Sequence, residues 1–354
     1  MLAKEHRIAL IPGDGIGREV IPAAVEVLEA AGRRRGIAFT FSEFDWSCHR
    51  FLATGAMMPA DGLDQVRPFD AILLGAVGWP GVADHVSLWG LLIPLRRGLR
   101  QYACVRPVKL LPGVSTPLAG RGAKDIDFVI VRENNEGEYS QIGGRIYEGT
   151  EDEVVLQESV FTRRGVDRII DYAFRLAETR PRHRVTSATK SNGIFHSLPF
   201  WDERFAAAAA RHPGVETAQF HIDILAAHLV QHPDWFDVVV GSNLFGDILS
   251  DLGAAVAGSI GLAPSGNVNP DRTAPSMFEP VHGSAPDIAG KGIANPVAAV
   301  WSAAMMLDHL GHGEAARDVE RAIEAVLADG AVRTRDLGGK ASTKEMTKAL
   351  ASAL

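Results

Sequence analysis

Apolar and polar positions along the chain follow two rhythms. Arg7 to Ile11, FDAILLGAVGWP (Phe69 to Pro80), Ile126 to Val131 and FDVVVG (Phe236 to Gly241) are short runs of mostly apolar residues. They read as strands buried on both faces. Between them, apolar residues recur with a period near 3.6. This predicts helices over Arg18 to Ala31, Gly165 to Arg180, HIDILAAHLVQHPDWFD, from about Pro296, and over Val319 to Ala328. IAFTFSEFDW alternates as another strand, and HRVTSATKSNG is a strand ending in a polar turn that carries Lys190. RIYEG and EVVLQESVFTRRG form two strands of a separate ribbon near 140–162, suited to pairing with a second subunit. Strands alternating with helices predict an α/β protein with a largely parallel sheet. Ligands gather at the carboxyl ends of such strands, so chemistry is sought just after each one.

The 354 residues suggest two domains. A net charge of −7 argues against a broad nucleic-acid footprint and leaves room for a local basic pocket. The only cysteines, Cys48 and Cys104, exclude a disulfide scaffold or a thiolate zinc cluster and suit a reducing cytoplasm. No apolar run reaches membrane-spanning length, and MLAKEHRIALIPGDG leads directly into a strand, so neither a membrane partner nor a signal peptide is expected.

The most informative stretch is NLFGDILSDLG, Asn243 to Gly253. Asp247 and Asp251 are one helical turn apart and share a face, while Ile248, Leu249 and Leu252 can pack elsewhere. Paired carboxylates suit a hard divalent cation, Mg²⁺ or Mn²⁺; they equally suit two solvated acids at a helix's first turn. Gly13, Gly15 and Gly17 give G-x-G-x-G, which is not the dinucleotide spacing G-x-G-x-x-G, and Asp14 would oppose a pyrophosphate. A tight strand-to-helix turn is the reading that fits. Leu91, Leu92 and Leu95 form a helical apolar face before Arg96. Arg106 precedes Pro107 in an extended stretch, and Arg132 ends a strand. His221 and His228 read as structural. EPVHGSAPDIAGKGIANP contains a long loop whose small residues let a ligand approach the backbone.

Together, IPGDGIG, the spaced arginines, VREN, NLFGDILSDLG and HGSAPDIAGKGIANP resemble the metal-dependent β-decarboxylating dehydrogenases, the isocitrate and isopropylmalate dehydrogenase family, over essentially the whole chain. DHVSLWG, VRENNEGEYS, ESVFTRRGVDRI and SATKSNG look most like the D-malate and tartrate dehydrogenase branch. The resemblance implies a two-domain, isopropylmalate-dehydrogenase-like α/β fold with a mixed, largely parallel sheet and no standard Rossmann site. Residues 1–101 and 259–354 would make a cofactor-side domain. Residues 102–258 would make a substrate, metal and dimerisation domain with the arm near 140–162.

The same resemblance implies roles. Arg96, Arg106 and Arg132 bind substrate carboxylates. Asp223, Asp247 and Asp251 ligate Mn²⁺ or Mg²⁺, Asp223 coming from the other subunit of a homodimer with shared sites. Lys190, also from the partner, is the base for the substrate hydroxyl, and Tyr139 is the acid that protonates the enol carbon. His282, Gly283, Ser284, Ala285, Asp287, Ile288 and Asn295 contact the cofactor. NADP-using relatives carry a Lys-Tyr pair where this chain has Asp287 and Ile288, so NAD is expected. The implied activity is oxidation and decarboxylation of D-malate, tartrate oxidation, or both. Isopropylmalate is the alternative substrate, and a silent regulatory subunit is the alternative role. Gly90 and Leu92 stand where isocitrate enzymes place Ser and Asn, which disfavours a third carboxylate. Helical spacing puts Trp89, Leu92 and Ile93 around substrate carbon three, where Trp89 would restrict an isopropyl group.

Overall fold

A computed structural model describes residues 4–354. Its strands are β1 (Lys4–Gly13), β2 (Ile37–Glu43), β3 (Ala71–Ala76), β4 (Ala103–Lys109), β5 (Asp127–Glu133), β6 (Gly143–Ile146), β7 (Val154–Gln157), β8 (Arg184–Thr189), β9 (Glu216–His221), β10 (Val238–Gly241), β11 (Pro264–Val268) and β12 (Ser276–Pro280). Ten of them form one sheet in the order β2-β1-β3-β12-β11-β4-β5-β10-β8-β9. The pairings β12–β11, β11–β4 and β4–β5 are antiparallel and the rest are parallel, so the sheet is mixed and largely parallel. β6 and β7 pair antiparallel as a separate two-stranded arm.

The apolar runs are continuous because their strands are covered on both faces. Ile8 and Leu10 of β1 pack with Leu73 and Phe278 beneath the helices Gly17–Arg35 and Val297–His309. The alternate residues Ala9 and Ile11 pack with Ile72, Leu74 and Met277 against Trp46, Leu91 and Leu95. Around β5, β8 and β10 lies a third core. The helix Arg163–Glu178 gives it Val166, Ile169, Ile170, Ala173, Phe174 and Ala177, one stripe at helical spacing. Two of these cores draw largely on the ends of the chain and the third on its middle. His228 is packed edge-on against Phe220, with ring centroids 5.0 Å apart.

The structure corrects two packing expectations. Ile248 is 51% exposed instead of packed within the chain. Asp247 and Asp251 do not occupy a first turn: their helix starts at Asn243, capped by the Ser242 hydroxyl, and its first turn carries no acid. The helix dipole therefore does not account for either carboxylate.

Helix Gly17–Arg35 is tied to helix Gly313–Asp329 by the buried Asp318, which accepts from Arg35 Nε at 2.5 Å and also meets Arg34 and Arg321. The hydrogen bond from Arg35 outweighs burial and brings the Asp318 carboxyl down to about 2. A carboxyl lowered in this way stabilises the fold above the unfolded value of about 3.9 and loses that contribution as pH falls towards 2. Asp318→Asn should therefore lower stability at pH 7, and the gap to wild type should close as pH approaches 2. Urea unfolding at several pH values would reveal a constant gap if this tie is unimportant.

Candidate active site

A cavity of about 220 Å³ opens at the middle of the sheet, where β3, β12, β4 and β5 bring their functional residues together. Arg96, Arg106 and Arg132 all line it, and all three are buried. Each comes from a different element. Arg96 lies on the helix Ile93–Gly98, Arg106 on β4 and Arg132 near the end of β5. Antiparallel pairing sets Arg106 opposite Ile130 and so brings it alongside Arg132's strand.

Asp247 is the shared counter-ion. Its Oδ1 accepts from Arg132 Nη1 and from Arg106 Nη1 (3.2 Å), and its Oδ2 accepts from the Tyr139 hydroxyl (2.9 Å). Burial opposes ionisation of Asp247, but Arg132, Arg106 and the Tyr139 hydrogen bond outweigh it and hold the carboxyl below its ordinary value. Asp251, 61% exposed, sits 3.8 Å from the same Arg106 nitrogen. Burial raises its pKa, Arg106 opposes that rise, and the neighbouring Asp247 adds to it. Tyr139 is raised by burial and then by the Asp247 charge, which keeps its hydroxyl protonated.

Several residues that the sequence reading passed over complete the site. Asn243 Oδ1 accepts from both Nε (3.0 Å) and Nη2 (2.6 Å) of Arg132. Ser250 accepts from Arg106 at 2.5 Å. Glu279, the last charged residue of β12, accepts from Arg96 Nη2 at 2.9 Å and from Asn267 at 2.7 Å. Its place at a strand end beside the long loop was the available signal for it.

Trp89 does not stand where helical spacing puts it. The turn Leu88–Leu92 is a π-helix, and Ile93 N–H bonds to the carbonyl of Leu88, five residues back. Leu88 therefore takes the place above Ile93, and Leu88, Leu92 and Ile93 make the apolar wall. Trp89 instead lies beneath the Arg97 guanidinium, 5.1 Å from ring centroid to Cζ.

Lys190 and Asp223 pair with each other at 2.9 Å, and neither lines this cavity. Among the described residues, no three His, Cys, Asp or Glu side chains of one chain are grouped to hold a metal. Asp247 and Asp251 supply two oxygen donors suited to a hard cation, and a third would have to come from outside this chain. The loop residues expected to contact a cofactor follow β12. His282 and Gly283 line it, and Ser284 O accepts from Ile16 N at 2.8 Å. Ala285 takes φ +41°, Asp287 is exposed, Ile288 packs partly into the core, and Asn295 donates to Asp336 at 2.9 Å. Two buried nitrogens that belong to the cavity residues have no partner among the described residues: Arg96 Nε, a donor, and His282 Nε2, an acceptor because Nδ1 of the neutral ring donates to the Gly283 carbonyl at 3.0 Å. An anion beside the first and a polar ligand on the second would satisfy both, so the residues fit a carboxylate substrate and a dinucleotide lying along the loop.

The chain matches the model of the isocitrate/isopropylmalate dehydrogenase family over residues 7–350. It is 57% identical to D-malate dehydrogenase [decarboxylating] of Escherichia coli (strain K12), covering 99% of this chain and 98% of that one. It is also 57% identical to tartrate dehydrogenase/decarboxylase of Pseudomonas putida, covering 100% and 99%. The solved isocitrate dehydrogenase from Methylococcus capsulatus superimposes with a TM-score of 0.88 at 36% identity, covering 98% of this chain and 99% of that one.

Removing the shared counter-ion should cost stability. Asp247→Asn should destabilise by about 1–3 kcal/mol in urea unfolding, less than a fully dry pair because Asp247 is 32% exposed. The same change should weaken Mn²⁺ binding in titration calorimetry. Unchanged values for both would show that Asp247 is neither counter-ion nor ligand.

Proposed function

The chain belongs to the isocitrate/isopropylmalate dehydrogenase family, and on that premise we propose that it oxidises and decarboxylates a small 2-hydroxy diacid, D-malate first and tartrate second, using NAD and Mn²⁺ or Mg²⁺. The observation that carries this reading is the convergence of Arg96, Arg106 and Arg132 on one small cavity that also holds Asp247 and Tyr139. Two carboxylates have forked donors there, and Tyr139 lies within reach of the space between them.

When bound, the divalent ion supplies Lewis acidity and the nicotinamide a hydride acceptor. The arginines fix the diacid by both ends. Asp247 and Asp251 offer oxygens on one side, with Asp223 of a second copy as the third donor. Lys190 of that copy takes the hydroxyl proton. Tyr139 keeps its proton at Oη and delivers it to the carbon that lost CO₂. His282, Gly283, Ser284, Ala285 and Asn295 receive the dinucleotide. Asp287, beside Ile288, accepts from ribose hydroxyls and repels a 2′-phosphate.

A homodimer with shared sites is supported by the exposed apolar residues near these groups. Ile224 (46% exposed) and Ile248 (51%) neighbour Asp223 and Asp247 in sequence, and the arm presents Ile142, Ile146, Val155 and Leu156. The three cores support a division into residues 1–101 with 259–354, and 102–258. Two free, buried cysteines suit the cytoplasm. Among the described residues no helix is long and apolar enough to cross a membrane. The apolar wall of Leu88, Leu92 and Ile93 favours one second reading, a branched substrate such as isopropylmalate.

A panel of D-malate, tartrate and isopropylmalate, compared by kcat/KM with NAD and Mn²⁺, tests this reading. D-malate should lead, and a lead for isopropylmalate would transfer the assignment to the second reading. NAD should be preferred over NADP by about 100-fold, the scale of one unfavourable charge contact. Equal use of both would remove the role given to Asp287.

Shared sites make a separate prediction. Lys190→Ala and Asp247→Asn homodimers should each be inactive, and activity should return on subunit exchange because one site of the heterodimer carries neither lesion. No recovery despite demonstrated exchange would mean each site is built from a single chain.

A further inference from the structure

We propose that Arg97 is a positioning residue that fixes Tyr139 relative to Arg96, with Trp89 as its platform. The consecutive arginines point to different tasks. Arg96 is buried at the cavity with Glu279. The forked guanidinium of Arg97 turns towards the loop after β5. Its Nε donates to the carbonyl of Asn135 at 3.1 Å and its Nη2 to the carbonyl of Tyr139 at 2.6 Å. Arg97 Cζ lies over the Trp89 ring, 5.1 Å from its centroid, so the guanidinium makes a cation–π contact as well as hydrogen bonds. The π-turn places Trp89 there instead of in the cavity. A second tie runs the same way: Asn135 Nδ2, in the amide orientation that satisfies both its ends, donates to the carbonyl of Arg96 at 3.1 Å.

The loop has anchors towards its own half of the sheet. Glu133 Oε2 accepts from the N–H groups of Asn135 (2.8 Å) and Glu136 (2.7 Å), and Glu138 accepts from Ser242 and from Leu244 N. Those contacts set the loop's shape. Arg97 links that loop to the helix carrying Arg96, and so sets the distance from a substrate-binding guanidinium to the proton donor. A planar fork meeting two carbonyls fixes that distance more tightly than a lysine's single point charge.

The proposal rests on Tyr139 acting as proton donor in the reaction proposed above. Arg97→Met should lower kcat on D-malate about 10- to 100-fold, the cost of misplacing a group by about 1 Å, with KM little changed. In a Tyr139→Phe background the same change should have almost no further effect, because the two residues act as one unit. Arg97→Lys keeps one donor and should recover part of kcat. Trp89→Ala should lower kcat in the same direction and leave the ratio of isopropylmalate to D-malate activity unchanged. Hydrogen exchange followed by mass spectrometry reads the tether without turnover: Arg97→Met should speed exchange across residues 134–140 and leave the helix Arg163–Glu178 as in wild type. Equal kcat losses in both backgrounds would overturn the proposal, as would unchanged exchange across 134–140. Wild type without turnover of any 2-hydroxy diacid would instead overturn the reaction reading, and the exchange result would still decide the tether.

Discussion

Two buried guanidiniums share one carboxylate, and the arrangement of the site follows from that. Removing Arg106 and Arg132 from water costs several kcal/mol each unless a counter-ion and further acceptors meet them. Asp247 gives one oxygen to both, while Asn243, Ser250 and Ser265 take remaining donors. This is why the helix Asn243–Val256 is seated against β5, with Gly246 where a Cβ would lie 2.5 Å from the Cβ of Arg132. Asp247's second oxygen then accepts from Tyr139 and points that hydroxyl into the cavity. A single carboxylate thereby orients two guanidiniums and one phenol.

The wall of the cavity keeps a positive excess, since four arginines, Arg96, Arg97, Arg106 and Arg132, line it with Asp247 and Glu279 while Asp251 stands largely in solvent. That excess favours a dianionic ligand over a neutral one. The buried Arg96 Nε is a donor that the protein itself leaves open. The chain as a whole carries −7, so the attraction is local and short-ranged under physiological salt.

Much of this was legible in the sequence, for definite reasons. Doubly covered strands carry continuous apolar runs, and β1, β3, β5 and β10 were visible for that reason. Arg106, Arg132 and Asp247 sit in or just beyond such strands, where the rule that ligands collect at strand ends directs the search. What stayed hidden depends on backbone detail or on the long-range meeting of side chains. The π-turn at Leu88–Leu92 shifts one residue out of helical phase and exchanges Trp89 for Leu88 at the wall. No periodicity reports a five-residue turn in advance. Glu279 and Arg96 are 183 positions apart, and nothing local in either signals their pairing. Ile248 has the spacing of a packing residue but faces out of the chain.

The first glycine turn shows how the fold dispenses with the usual dinucleotide site. Gly13 and Gly15 take positive φ, and a Cβ on either would lie 2.1 and 2.0 Å from the carbonyls of Ala76 and Ser284. The turn's own N–H groups are spent on carbonyls: Asp14 N donates to Ala76 O at 2.7 Å and Gly17 N to Asp14 O at 3.0 Å. The Asp14 side chain adds a fixed anion. Asp14 is fully buried and accepts from the N–H groups of Cys48 (3.0 Å), His49 and Gly78 (3.1 Å). Burial opposes its charge, and these hydrogen bonds outweigh that opposition and lower its pKa. A pyrophosphate at this position would meet a fixed negative charge. Through Ile16 N the turn instead grips Ser284 O in the loop after β12. The glycines thus shape a second loop, whose Ala285 takes a left-handed conformation and whose His282 leaves a buried nitrogen open.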